Sequence, residues 1–314
     1  MKKKLVAGAV TLLSVVTLAA CANGTNKDIV TMKGDTITVS DFYNEIKTNQ
    51  GAQQVLFQMT INKVFEKEYG SKVSDKEVDK ELAKQKKQLG NQFDAYLAQQ
   101  GLTEETAKKQ IRSNMLLEYA VNQAAKKDIK ESDYKAAFES YTPEVTAQII
   151  KLDSEDKAKE VLEAAKAEGA DFAQIAKDNS TDTATKDKGG EVKFDSGTAD
   201  IPSQVKEAAF KLDENGISDV ITVSAGQNYS ASYYIVKLNK KTEKGSDWKK
   251  YEKRLKEIIV DGRKQDTNYI RSIIAKAMTN ANIKVKDDAF KSTFNQYLQN
   301  IGVETSGSNS SSKK

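Results

Sequence analysis

Tyr141-Thr142-Pro143-Glu144-Val145-Thr146-Ala147-Gln148-Ile149-Ile150-Lys151-Leu152 marks a change of texture in the chain. Helical periodicity ends at Tyr141-Thr142-Pro143, because proline lacks an amide donor and drives the residue before it out of the α region. From Val145 to Leu152 the residues alternate and are β-prone, which predicts a strand. Asp153-Ser154 then opens a helix carrying Ala158, Val161, Leu162 and Ala165. A short helix follows at Phe172 to Ala176, then a polar, glycine-bearing loop from Asp178 to Gly190, a helix from Ser203 to Leu212, and a β-prone run from Ser230 to Leu238. That β-α-α-loop-α-β order over about 100 residues predicts a compact α+β domain.

On either side the chain reads as helical. Ser40 is the expected N-cap of a helix containing Phe42 and Ile46, and Val55, Leu56, Met59, Ile61 and Val64 continue the apolar spacing. Ser74 and Glu77 have the spacing of a capping box ahead of Val78, Leu82, Leu89, Phe93 and Leu97, and Thr103 precedes Ile111, Met115, Leu116 and Tyr119. Beyond Lys241, residues Trp248 to Ala281 read as one long helix or as two joined near Asp261-Gly262, and Ser306 to Lys314 form a Ser/Gly/Lys-rich tail of disordered composition. The expected division is a helical part over 21–142, the α+β domain over 143–241, a second helical part over 242–303 that packs on the first, and a tail over 304–314.

Composition agrees with this plan. Of 314 residues, 30% are charged, 38% are hydrophobic and only two are proline, a balance suited to long amphipathic helices and unsuited to a loop-rich all-β fold. The formal charge is +4, and without Lys2, Lys3 and Lys4 it falls nearly to zero, so no nucleic acid or other polyanion is expected as a partner. There are no histidines. Their absence removes the commonest metal ligand and the usual general base near neutral pH, and no metal or cofactor is expected.

Residues 1–20 have the layout of a secretory signal: Lys2 to Lys4, an apolar run from Leu5 to Leu18, then Ala19 and Ala20. The apolar run is shorter than the roughly 20 residues that a membrane-spanning helix needs. Leu18-Ala19-Ala20-Cys21 resembles the lipobox of bacterial lipoproteins. The resemblance implies cleavage before Cys21 and diacylglycerol on its sulfur, tethering the chain to the outer side of the cell membrane. Cys21 is the single cysteine, so the mature chain has no free thiol or disulfide.

The middle domain resembles the parvulins, a family of peptidyl-prolyl cis/trans isomerases. Thr146 to Ile150 matches the first family strand, Asp178 to Asp182 the loop before the paired glycines Gly189-Gly190, and Ile201-Pro202 with Val205 to Leu212 the substrate-pocket helix. Gly216 to Val220 matches the sequel of that helix and Tyr233 to Lys237 the last strand. The resemblance implies a proline pocket of Ile201, Val205 and Phe210, Asp182 at the family's acidic or cysteine position, and Thr222 as a hydrogen-bonding partner. Gln148 and Tyr234 stand where the family has its two histidines, which leaves isomerase activity open.

Leader, helical segment, parvulin-like insert and helical return together resemble the PrsA family of extracellular foldase lipoproteins of Gram-positive bacteria. What this implies is a membrane-anchored foldase acting on unfolded or partly folded secreted proteins, with its holding surface in the helical part. An active prolyl isomerase is the second reading. A solute-binding lipoprotein of a transporter shares the anchor, but it needs strand-helix alternation throughout, which residues 40 to 140 lack. The oligomeric state stays open, a dimer among the options.

Overall fold

The computed structural model describes residues 27–225 and 230–298; the leader, Cys21 and the tail lie outside them. The chain begins with strands β1 (Asp28–Met32) and β2 (Asp35–Thr38) and helices α1 (Val39–Ile46), α2 (Gln50–Tyr69), α3 (Asp75–Leu89), α4 (Phe93–Gln99), α5 (Glu104–Lys127) and α6 (Glu131–Ser140). The middle part follows as β3 (Val145–Leu152), α7 (Glu155–Lys166), α8 (Phe172–Asn179), β4 (Glu191–Phe194), α9 (Ser203–Lys211), β5 (Ile221–Ala225) and β6 (Ser230–Lys240). Helices α10 (Glu252–Gln265), α11 (Thr267–Asn280) and α12 (Lys291–Leu298) complete it. Both helices and sheet are present, as an α+β fold requires.

These elements form two compact units whose borders differ from the expected division. Residues 65–142 and 242–274 group with the α+β module in a central unit, while residues 27–64 and 275–298 form a terminal unit. The borders fall inside α2 and α11.

In the terminal unit, β1 and β2 make an antiparallel hairpin turning at Gly34, and every residue of β1 is exposed. Helix α1 is capped two residues earlier than the sequence reading placed it. Thr38 Oγ1 accepts the Asp41 amide at 3.2 Å and the Asp41 carboxylate accepts the Thr38 amide at 2.9 Å, so Ser40 lies within the helix. Residues some 240 positions apart close the unit. The Tyr43 hydroxyl donates to Asp287 at 2.7 Å, Gln53 Nε2 donates to the Ala289 carbonyl at 3.0 Å, and Phe57 packs on Phe294 and Tyr297 with ring centroids 5.4 and 4.3 Å apart.

In the central unit the Ser74–Glu77 capping box and the Thr103 cap open α3 and α5. Arg112 of α5 gathers the end of α2: its guanidinium donates to both Glu66 carboxylate oxygens at 2.8 Å and to the carbonyls of Gly70 and Val73. Arg263 of α10 donates to the Ala125 carbonyl and to Asp133, each at 2.8 Å, which fixes α10 to the end of α5 and to α6. The break between α10 and α11 comes at Asp266, whose carboxylate accepts the Asn268 amide at 2.8 Å; Gly262 sits inside α10.

The sheet has strand order β4-β3-β6-β5, antiparallel throughout. Alternation along the strands gives it two buried faces. Ala147, Ile149, Val236 and Leu238 pack under α9 against Val205 and Ala209, while Ile150, Leu152 and Ile235 pack under α7 and α8 against Val161, Phe172 and Ala176.

Beside β4, Gly189 and Gly190 turn the chain with φ of +68° and +79°. A Cβ on Gly190 would lie 2.5 Å from the Ile149 carbonyl oxygen, on the residue whose amide donates to the Gly190 carbonyl at 2.8 Å. Positive φ and a backbone clash add, so Gly190→Ala is expected to destabilise the chain by about 3 kcal/mol. A denaturation midpoint indistinguishable from that of the parent would contradict this.

Candidate functional site

The face of the sheet beneath α9 carries the residues at the positions of the parvulin family's proline pocket. Val192, Ile201, Phe210, Ile221, Val223 and Tyr234 are half-buried around a fully buried base that includes Phe194, Val205 and Ala209. Phe194 and Phe210 meet at 5.8 Å. Helix α9 is held over this face by Lys206, whose ammonium donates to the Ser196 and Thr198 carbonyls, and by Lys241, which donates to the Phe210 carbonyl at 2.8 Å. Val205 thus belongs to the core beneath the pocket and is not part of its wall. The wall includes Val192, Ile221 and Val223, which the sequence reading did not name; their β-branched alternation in two short strands was the available signal.

Tyr234 stands on this face opposite Lys151 of β3. Burial, reinforced by the carboxylates of Asp182 and Asp153, raises the pKa of its phenol above the ordinary value. The hydroxyl therefore stays protonated across neutral pH and remains a hydrogen-bond donor. Asp182 heads the loop that leads to the glycines: its carboxylate accepts the Thr185 hydroxyl at 2.6 Å and the Ala184 amide at 3.2 Å. The loop is seated on β3 by the Thr181 amide, which donates to the Lys151 carbonyl at 2.8 Å, and by Ser180 Oγ, which accepts the Lys151 amide.

Gln148 and Thr222 do not join this group. Ile149 pairs with Val236 and Gln148 with Lys237, three residues from Tyr234, so Gln148 and Tyr234 emerge on opposite faces of the sheet. The Gln148 side chain is buried on the α8 side, with Nε2 donating to the Gly189 carbonyl at 2.9 Å. That contact ties β3 to the glycine turn and leaves no shared network with Tyr234. Thr222 is exposed and lies between Ile221 and Val223, both of which face the pocket, so its own side chain points away.

Rotating an X-Pro bond requires no covalent step, only stabilisation of a twisted imide against a barrier of roughly 18–20 kcal/mol. An apolar wall with one protonated phenol can seat a proline ring and offer a single hydrogen bond. Among the described residues no group of three or more Cys, Asp or Glu side chains could hold a metal ion.

A second patch of different character lies in the terminal unit. A cavity of about 750 Å³ is lined mainly by apolar side chains, among them Ile46, Val55, Leu56, Met59 and Ile283. Val55 and Met59 are 60% and 51% exposed at its mouth. The described residues include nine exposed large hydrophobic side chains, and all except Tyr96 fall in this unit: Ile29, Val30, Met32 and Ile37 of the hairpin, Phe42 and Tyr43 of α1, and Val55 and Met59 of α2.

Comparison with known proteins agrees with the middle domain and extends over the whole chain. A family model described as the PPIC-type PPIase (rotamase) domain matches residues 141–240. The chain is 62% identical over 302 residues to the foldase protein PrsA of Streptococcus sanguinis, covering 96% of this chain and 90% of that protein. It is 60% identical to the foldase protein PrsA of Streptococcus gordonii over the full length of both. The crystal structure of foldase protein PrsA from Streptococcus pneumoniae superposes with a TM-score of 0.78 at 55% identity, covering 86% of this chain and 99% of that one. The chain belongs to the PrsA family of foldases and carries a parvulin-type peptidyl-prolyl isomerase domain.

Proposed function

We propose that this chain is a lipid-anchored foldase on the outer face of the cell membrane, and that it holds unfolded or partly folded secreted proteins on its terminal unit. The observation that carries this reading is the concentration of exposed apolar side chains in that unit, three of which, Tyr43, Val55 and Met59, line its cavity. Monomeric proteins rarely leave contiguous apolar surface in water without a use for it. Purified mature chain is expected to suppress aggregation of a chemically unfolded client at near-stoichiometric ratios; a client that aggregates at its unassisted rate would refute the reading.

The anchor rests on Cys21 and on Leu18-Ala19-Ala20 before it. Among the described residues no helix is long and apolar enough to cross a membrane. Cys21→Ala is expected to abolish incorporation of radiolabelled palmitate, since no other cysteine exists. Label still entering the variant would rule out the anchor.

Prolyl isomerisation is a second reading, supported by the half-buried wall around Tyr234. Because the chain has no histidine, any such activity is expected to be nearly flat between about pH 5.5 and 8.

A further inference from the structure

The rim of the terminal-unit cavity is charged in one sense. Between α11 and Asp287, residues Ile283, Lys284, Val285 and Lys286 belong to no helix or strand and alternate in exposure: Ile283 and Val285 are half-buried, Lys284 and Lys286 exposed, and all four line the cavity. Lys47 adds a third cation, 5.8 Å from the centroid of the Tyr43 ring at the same rim. The one lining carboxylate is Asp287, and its two oxygens are occupied by the Tyr43 hydroxyl and the Ala289 amide. Among the described residues neither Lys284 nor Lys286 has an ion-pair partner, although Lys291 next to them is paired with Asp288.

The backbone at this rim is open as well. Among the described hydrogen bonds, the amide and carbonyl groups of Lys284, Val285 and Lys286 find no protein partner. Free main-chain groups beside an apolar cavity can hydrogen-bond a second chain lying alongside them, with pockets for its alternate side chains.

We infer that the Lys284–Lys286 rim and the cavity beneath it together bind an extended client segment in which large apolar residues alternate with acidic ones. Alternate apolar side chains enter the cavity, main-chain groups pair with residues 284–286, and the carboxylates between them meet Lys284, Lys286 and Lys47. A segment bearing lysines in those places meets three cations instead. This selectivity rests on the foldase reading and adds to it that exported chains are gripped first at acidic-apolar stretches.

The test uses the mature chain and two labelled peptides of alternating Phe and Glu or alternating Phe and Lys, followed by fluorescence anisotropy. The Glu peptide is expected to bind at least about tenfold more tightly, since several weak exposed ion pairs are exchanged for repulsions. That ratio should shrink between about 0.05 and 0.5 M salt as screening shortens the reach of the charges. Lys284→Gln with Lys286→Gln should largely erase the preference, Lys284→Arg with Lys286→Arg should keep it, and N-methylation of alternate peptide bonds should weaken binding. Equal affinity for both peptides, or a preference unchanged in the glutamine variant, would overturn the inference. If the parent chain shows no preference yet still suppresses client aggregation, the inference fails and the foldase reading stands; if it does not suppress aggregation, that reading itself fails.

Discussion

Asp195→Ala is expected to lower the stability of the central unit by about 3 kcal/mol at pH 7, measured as a fall in the chemical denaturation midpoint. Asp195 follows β4 and its side chain is only 7% exposed. Arg254 of α10 grips it with two hydrogen bonds of 2.6 and 2.8 Å, the Thr198 hydroxyl and Gly197 amide donate at 3.0 Å, and the Tyr141 hydroxyl at 3.2 Å. These partners come from the sheet domain, from the segment before it and from the helix after it, so one carboxylate joins three parts of the unit. Gly197 permits the approach, because a Cβ there would sit 2.4 Å from Ile258 of α10. Burial alone would raise the Asp195 pKa, but the Arg254 guanidinium, Thr198 and Tyr141 outweigh it and hold the carboxyl below the usual range.

The pH dependence follows from that direction. A carboxyl with a depressed folded-state pKa contributes its full stability above the ordinary carboxylate value of about 4 and loses it as pH falls through the lower folded value. The gap between parent and Asp195→Ala is therefore expected to be constant from pH 7 to pH 5 and to close below about pH 4. A gap that persists unchanged at pH 3, or that opens as pH falls, would show that the ion pair is not what stabilises the joint. Tyr141→Phe, which deletes one hydrogen bond at 3.2 Å, should cost only about 1 kcal/mol.

Val55→Asp with Met59→Asp is expected to remove most of the suppression of client aggregation while leaving the fold intact. The two residues lie one helical turn apart on α2 and are more than half exposed at the cavity mouth, so the substitutions should shift stability by no more than about 1 kcal/mol. Two carboxylates there would need to be desolvated by any apolar client side chain that enters, which opposes binding strongly. Undiminished suppression by a variant with a normal thermal midpoint would move the holding surface elsewhere.

How far the sequence could be read depended on how local each determinant was. The Ser74–Glu77 box and the Thr103 cap are four-residue patterns and were legible, as was β3, where Val145 to Leu152 alternates over eight residues. Strands β4 and β5 were not, because Glu-Val-Lys-Phe and Ile-Thr-Val-Ser-Ala are too short and too polar to stand out from loop. Where the terminal unit begins and ends was illegible, because Tyr43 and Asp287 carry no mutual signal across 244 positions.

At the candidate site, family positions identified Gln148 and Tyr234 individually, but whether they face each other depends on the β3–β6 register, a non-local quantity. Thr222 shows the same dependence on strand parity. Each of its neighbours, Ile221 and Val223, reaches the pocket that it misses.

We propose that unfolded clients are held on the terminal unit rather than at the parvulin-like pocket. Amide hydrogen exchange of the mature chain, with and without a bound unfolded client, tests it directly. Client binding should slow exchange in residues 42–60 and 282–290 and leave β5, β6 and α9 unchanged. Protection confined to the pocket face, at residues 192–210 and 221–236, with none around the cavity, would contradict it.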